Sequence, residues 1–171
     1  MSHPLVAQLR FTRHEFERAL DGVSEADGAQ RVGPMNSLSW IVGHLAWHEH
    51  VYWLDLAQGT SIAPQLHDLT ASGQAATVPS LAEMWATWRA VVAASDPYLD
   101  TLTSATLQSH FEHNGRPLRE SIGTQLRRLT YHYWYHIGEA QAIRQALGHA
   151  DLPGFVGDIH TLAPYRPESA E

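Results

Sequence analysis

At 171 residues, 44% hydrophobic and 17% charged, the chain is long enough to bury a core as one compact domain and too apolar to be disordered. It has no cysteine, which excludes disulfides, thiolate metal ligands and a cysteine nucleophile. Its eleven basic residues are all arginine, which excludes Schiff-base chemistry and a P-loop lysine.

The first helical pattern spans residues 4–20, where Leu5, Leu9, Phe16 and Leu20 share one face. "DGVSEADGAQRVGP" breaks it with three glycines and a proline. A second helix, over 37–57, follows "NSLS", where Asn36 or Ser37 can cap. Residues 58–79 form a polar connection of about twenty residues, a length that implies a crossover or a loop covering a site. The third helix covers 80–102 and opens on a capping-box pattern, Ser80 and Glu83, while Pro97 should kink or fray its end.

Asn114-Gly115 within "LQSHFEHNGRPL" is a strong hairpin-turn signal and predicts a small β-hairpin. The fourth helix is expected over 117–147, stopped by Gly148. The irregular tail 148–171 carries Phe155, Val156, Ile159 and Leu162, which predict that it packs back onto the body. The expected class is all-α: a four-helix bundle with one long crossover connection and a small hairpin before the last helix.

The formal charge of −7 opposes binding to a nucleic-acid backbone. No stretch approaches the roughly 20 apolar residues of a membrane span. "MSHPLVAQLRFTRHEFERAL" lacks the uninterrupted apolar segment of a signal peptide, so a cytoplasmic protein without nucleic-acid or membrane partners is expected.

Histidine, at twelve copies, is the outlier. On the fourth helix the apolar stripe runs Ile122, Leu126, Leu129, Tyr133, Ala140, Ile143 and Leu147; His136 fills its gap and His132 lies on its edge, one turn earlier. On the second helix His44 and His48 point toward the core. Ser39, Gly43, Ala46 and His50 form the opposite, small-residue or solvent face, with His50 an exposed bystander. A lone inward histidine is usually a core group bonded to tyrosine or backbone. Three or four without a common partner would leave several kcal/mol of unmet polar groups, which one divalent cation removes. The chain has neither the H-E-x-x-H of zincins nor the E-x-x-H of di-iron bundles. What remains is a three-histidine site with open coordination positions, the catalytic arrangement rather than the structural one.

"SWIVGHLAWHEHVYW" and "YHYWYHIGEAQ" resemble the DinB/YfiT-like metalloenzyme superfamily, and the tail "LPGFVGDIHTLAPYRPE" looks like the end of many DinB-like sequences. The likeness extends over nearly the whole chain and implies a single DinB-like four-helix-bundle domain over 1–171. It also implies a metal site with one histidine from the second helix and an H-x-x-x-H from the fourth. By position, "GHLA" assigns His44, with His132 and His136 completing the triad. His48 would replace His44, add a fourth ligand, or stand behind the ligands. Glu139 stands where the family often has Gln; it would orient a ligand imidazole, act as a base, or remain a solvated surface carboxylate.

Some relatives are similar to thiol-dependent S-transferases or isomerases. The resemblance therefore implies a homodimeric transferase of this kind, using Zn, Ni or Fe and a low-molecular-weight thiol on a small-molecule substrate. The alternatives are a metal-dependent hydrolase and a non-catalytic metal-binding stress-response protein.

Overall fold

The computed structural model describes residues 2–154 and 156–167. It is mostly helical, with one small antiparallel sheet. Helix α1 (Pro4–Ala19) starts on Pro4, whose missing N–H costs nothing at a first turn, while His3 Nδ1 accepts the Leu5 N–H. Short α2 (Glu25–Ala29) is capped by Ser24. Helix α3 (Leu38–His50), capped by Ser37, passes into a π-helical segment, Val51–Leu56, and the chain leaves the helix at Gly59 with φ 63°. Within the long connection lies α4 (Leu66–Thr70), before α5 (Leu81–Leu99). Then follow α6 (Ser104–Gln108), β1 (His110–His113), β2 (Arg116–Ser121), the 25-residue α7 (Ile122–Ala146) and α8 (Ile159–Leu162). The long helices pack chiefly as α3 on α5 and α1 on α7, with α3 also meeting α7 and α4. No helix among the described residues is long and apolar enough to cross a membrane.

The hairpin forms where expected. Asn114 (φ 52°) and Gly115 (φ 69°) both occupy the left-handed region, the backbone that a tight two-residue turn between twisted strands requires. That strand pairing corrects the start of the last long helix. Residues 117–121 belong to β2, where Pro117 pairs with Glu112, and Ser121 caps α7 by accepting the Thr124 N–H. At the other end Gly148 (φ 87°) donates to Gln145 O and His149 to Arg144 O, a Schellman stop.

Helix α5 ends at Leu99, short of residue 102, two residues beyond Pro97. Ser80 accepts the Glu83 N–H as expected, but the carboxylate at this helix start comes from α2: Glu25 accepts the N–H groups of Leu81 and Ala82. The tail meets the body through polar contacts. Gly157 N–H donates to Glu15, Arg18 to Gly154 O and Gln8 to Ala163 O, whereas Ile159 and Leu162 remain exposed. Phe155 lies outside the described residues.

The α3 face expected to be either solvent or small-residue is packed, so the small-residue alternative holds. Ser39, Gly43, Ala46 and His50 are all buried, because α3 is enclosed by α5, α4 and α7 on different sides. Small residues there let the chains approach closely. A Cβ at Gly43 would sit 2.5 Å from Met84 Sδ and 2.6 Å from Thr70 Cγ2. His50 anchors the connection: its Nε2 accepts the N–H groups of Ile62 (3.1 Å) and Ala63 (3.2 Å), and its Nδ1 faces Asp55 at 3.2 Å. Residues five apart are neighbours on a π-helical turn, and this brings Asp55 to His50.

A polar network crosses the core and joins all four long helices. Arg13 on α1 donates to both oxygens of Glu49 on α3, at 2.7 and 2.6 Å, and also to Ser95 and Asp96 on α5. Tyr133 on α7 donates to Glu49 at 2.8 Å and accepts from Trp88 Nε1 at 2.7 Å.

Gly43 on α3 and Gly138 on α7 should respond oppositely to alanine. Gly43→Ala overpacks the α3–α4–α5 contact and is expected to lower stability by about 1–3 kcal/mol. Gly138→Ala meets nothing within 4 Å and is expected to raise it by up to about 1 kcal/mol. Urea midpoints measure both; a neutral Gly43→Ala would refute the packing account.

Candidate metal centre

Histidine Nε2 atoms converge between α3 and α7. His132 Nε2 lies 3.3 Å from His44 Nε2 and 2.9 Å from His136 Nε2. The helical period explains the pair on α7, since residues four apart lie one above the other. His44 reaches them across the α3–α7 contact. One ligand atom from each lies within 4.8 Å of the others, so the three can hold one metal ion.

The opposite ring edges fix the protons. His44 Nδ1 is 2.8 Å from the Thr70 carbonyl oxygen, which can only accept, so Nδ1 carries the hydrogen. His136 Nδ1 is 2.8 Å from Glu139 Oε2 and donates in the same way. In the neutral rings, both Nε2 atoms therefore aim lone pairs at His132. A single N–H on His132 can be directed at only one of them. One cation would satisfy all three, and nitrogens bound at about 2.0–2.1 Å around a tetrahedral ion are themselves about 3.3 Å apart. The donor set fits a divalent metal.

Burial keeps His44 and His132 uncharged. It is the main cause that lowers the His44 pKa to about 4, with His136 adding to it while the Thr70 bond and Glu139 oppose it. His132 is lowered to about 3 by burial, then by His136, His44 and Arg128. Glu139 moves below the ordinary carboxylate range, chiefly because it accepts the His136 N–H; its burial works in the other direction. Trp40 stacks on His44 with ring centroids 4.4 Å apart and planes 14° from parallel, which fixes the ring's tilt.

His48 stands beside this group. Its ring meets His132 edge-on at 4.4 Å and His44 at 4.7 Å, but the converging ligand atoms are those of His44, His132 and His136. Burial and the three neighbouring histidines lower its pKa to about 2. His48 and His132 line a cavity of about 710 Å³, which continues along α7 past Arg128, Arg127 and Tyr131. Thr124 and Ser72 complete the lining.

The family model of the DinB superfamily matches residues 8–140. This chain belongs to the DinB superfamily. The DinB match begins inside α1 and ends inside α7, and so takes in every residue of the histidine group and Glu139 behind it. None of the curated proteins compared matches the chain.

Sequence reasoning did not find Thr70, Trp40 or the arginine-lined wall. Thr70 acts through its backbone carbonyl, which leaves no trace in residue identity. Trp40 stands one turn before His44, and Arg128 one turn before His132, so spacing alone could have flagged both.

In metal-free protein the folded-state pKa values of about 4 and about 3 lie below the ordinary 6.5. Neutral His44 and His132 therefore contribute stability above pH 6.5, and this is lost as pH falls through about 4. With a chelator present, the urea midpoint should drop between about pH 7 and about pH 5. A drop that persists undiminished in His132→Ala would assign the effect to other groups.

Proposed function

We propose that the chain is a metal-dependent enzyme in which His44, His132 and His136 hold one divalent ion and a low-molecular-weight thiol reacts with a small molecule beside it. The same reading takes α1, α3, α5 and α7 as the four-helix bundle common to the family. The observation that carries it is the convergence of three Nε2 atoms whose protons are placed on the far ring edges by Thr70 and Glu139. The adjoining cavity, walled by His48 and His132, supports access to that point by a small molecule.

When bound, a divalent ion supplies Lewis acidity that favours the deprotonated form of a thiol at neutral pH. Neutral imidazoles accept Zn²⁺, Ni²⁺ or Fe²⁺, and the ion's availability in the cell decides among them. The protein's own residues keep the site ready. Thr70 and Glu139 hold two rings in the tautomer that leaves Nε2 free, and Trp40 restrains the first of them. Burial keeps protons from competing for the same nitrogens. Glu139 is occupied at the Nδ1 edge of His136, away from the converging atoms, which supports an orienting role over that of a hydrolytic base.

Elemental analysis of the protein is expected to find about one equivalent of Zn, Ni or Fe, and none in His132→Ala. Glu139→Gln should keep the fold and lose about 10–100-fold in metal affinity. Metal-loaded protein incubated with panels of thiols and electrophiles should turn over only with thiol present. Turnover that survives His132→Ala sinks the reading, and thiol-free cleavage of esters or amides would replace it with hydrolysis.

A further inference from the structure

The cavity beside the histidines carries a charge that the fold leaves unused. Of the two arginines on its wall, Arg128 is neutralised, donating from Nε and Nη2 to the two carboxylate oxygens of Glu120. Arg127 has no carboxylate partner among the described residues. Its Nη2 donates to Tyr131 Oη at 3.3 Å, and its guanidinium carbon lies 6.0 Å from the centre of that ring. Both contacts orient the group without cancelling its charge. Among the described residues the cavity lining contains no acidic side chain, in a chain whose formal charge is −7.

We propose that this cavity binds a small molecule through a carboxylate, with Arg127 as the recognising residue and the nearby Thr124 hydroxyl as a second donor. The proposal deepens the metal-enzyme reading above and rests on it for the reacting end of the molecule. A carboxylate fits better than a phosphate. One guanidinium fork matches one carboxylate in a bidentate pair, whereas a phosphate dianion calls for a second free cation, and Arg128 is already spent on Glu120. The volume, about 710 Å³, is that of a small-molecule site. Arg127 and His132 both line the cavity and stand five residues apart on α7, about 7.5 Å along the axis, so one small molecule can face both. The carboxylate belongs either to the thiol or to its acceptor.

The test compares two small thiols on full-length protein loaded with Co²⁺, whose thiolate absorption bands report binding. 3-Mercaptopropionate carries a carboxylate and 2-mercaptoethanol does not. If the carboxylate belongs to the thiol, the first should bind about tenfold more tightly. Arg127→Gln should abolish the preference and Arg127→Lys should keep part of it. Succinate, titrated into the protein as purified and followed by NMR line broadening, is the thiol-free arm. Succinate binding that is weakened in Arg127→Gln, without a preference between the thiols, places the carboxylate on the acceptor. If neither thiol changes the Co²⁺ spectrum while succinate still binds through Arg127, the thiol chemistry fails and the carboxylate subsite stands. Succinate binding that is absent, or unchanged in Arg127→Gln, together with equal affinities for the two thiols, overturns the proposal. Arg127 lies on an exposed helix face, so both variants should fold, which their thermal midpoints check.

Discussion

The buried Arg13–Glu49 pair sets the relation between the helices that carry the histidines. Taking two charges out of water costs several kcal/mol per ion, and only complete hydrogen bonding offsets it. That bonding here uses residues from every long helix: Ser95 and Asp96 on α5, and Tyr133, itself held by Trp88, on α7. Glu49 directly follows His48 and Tyr133 directly follows His132. Fixing Glu49 and Tyr133 against each other therefore fixes the rotation and height of α3 relative to α7. A slip of one residue would leave a buried carboxylate without its partners and would turn the histidines away from each other. Apolar residues could fill the same space, but they would impose no comparable register.

Given that register, the character of the centre follows from burial and from the second edge of each ring. Burial disfavours the charged form of His44, His132 and His48. Thr70 and Glu139 then decide which nitrogen carries the proton, and both place it away from the centre. The single N–H of a neutral His132 can answer only one of the two nitrogens that face it, and one cation could satisfy all three rings.

Much of this was legible in the sequence because it depends on local period. The spacing of His132 and His136 follows from the helical repeat, and Asn114-Gly115 forms a turn whose backbone few other residue pairs tolerate. "GHLA" placed His44 through family likeness, and the structure brings His44 to the same point. What failed to show depends on contacts distant in sequence. The rule that one helix face is apolar and the other solvated misplaced His50, because α3 is covered on nearly every side and its small residues mark the tightest contact. The start of α7 was hidden because Pro117 can open a helix as readily as follow a turn, and only pairing with β1 decides between them. Likewise Glu83 has the right position for a capping box, yet Glu25, more than fifty residues earlier, supplies the carboxylate.

The long connection between α3 and α5 gains a definite physical role from these contacts. Its beginning is tied down by His50, which accepts two of its backbone N–H groups, and its middle, α4, packs against α3. Thr70, the last residue of α4, gives its carbonyl to His44, and Ser72, two residues later, lines the cavity. One segment thus orients a candidate metal ligand and shapes the space in front of it. Gly43 belongs to the same arrangement, since the absent Cβ is what lets Thr70 come close enough to α3 for its carbonyl to meet His44. The small-residue face of α3 and the histidine face are consequently two sides of one constraint. Close packing on the first sets where the second can aim its nitrogens.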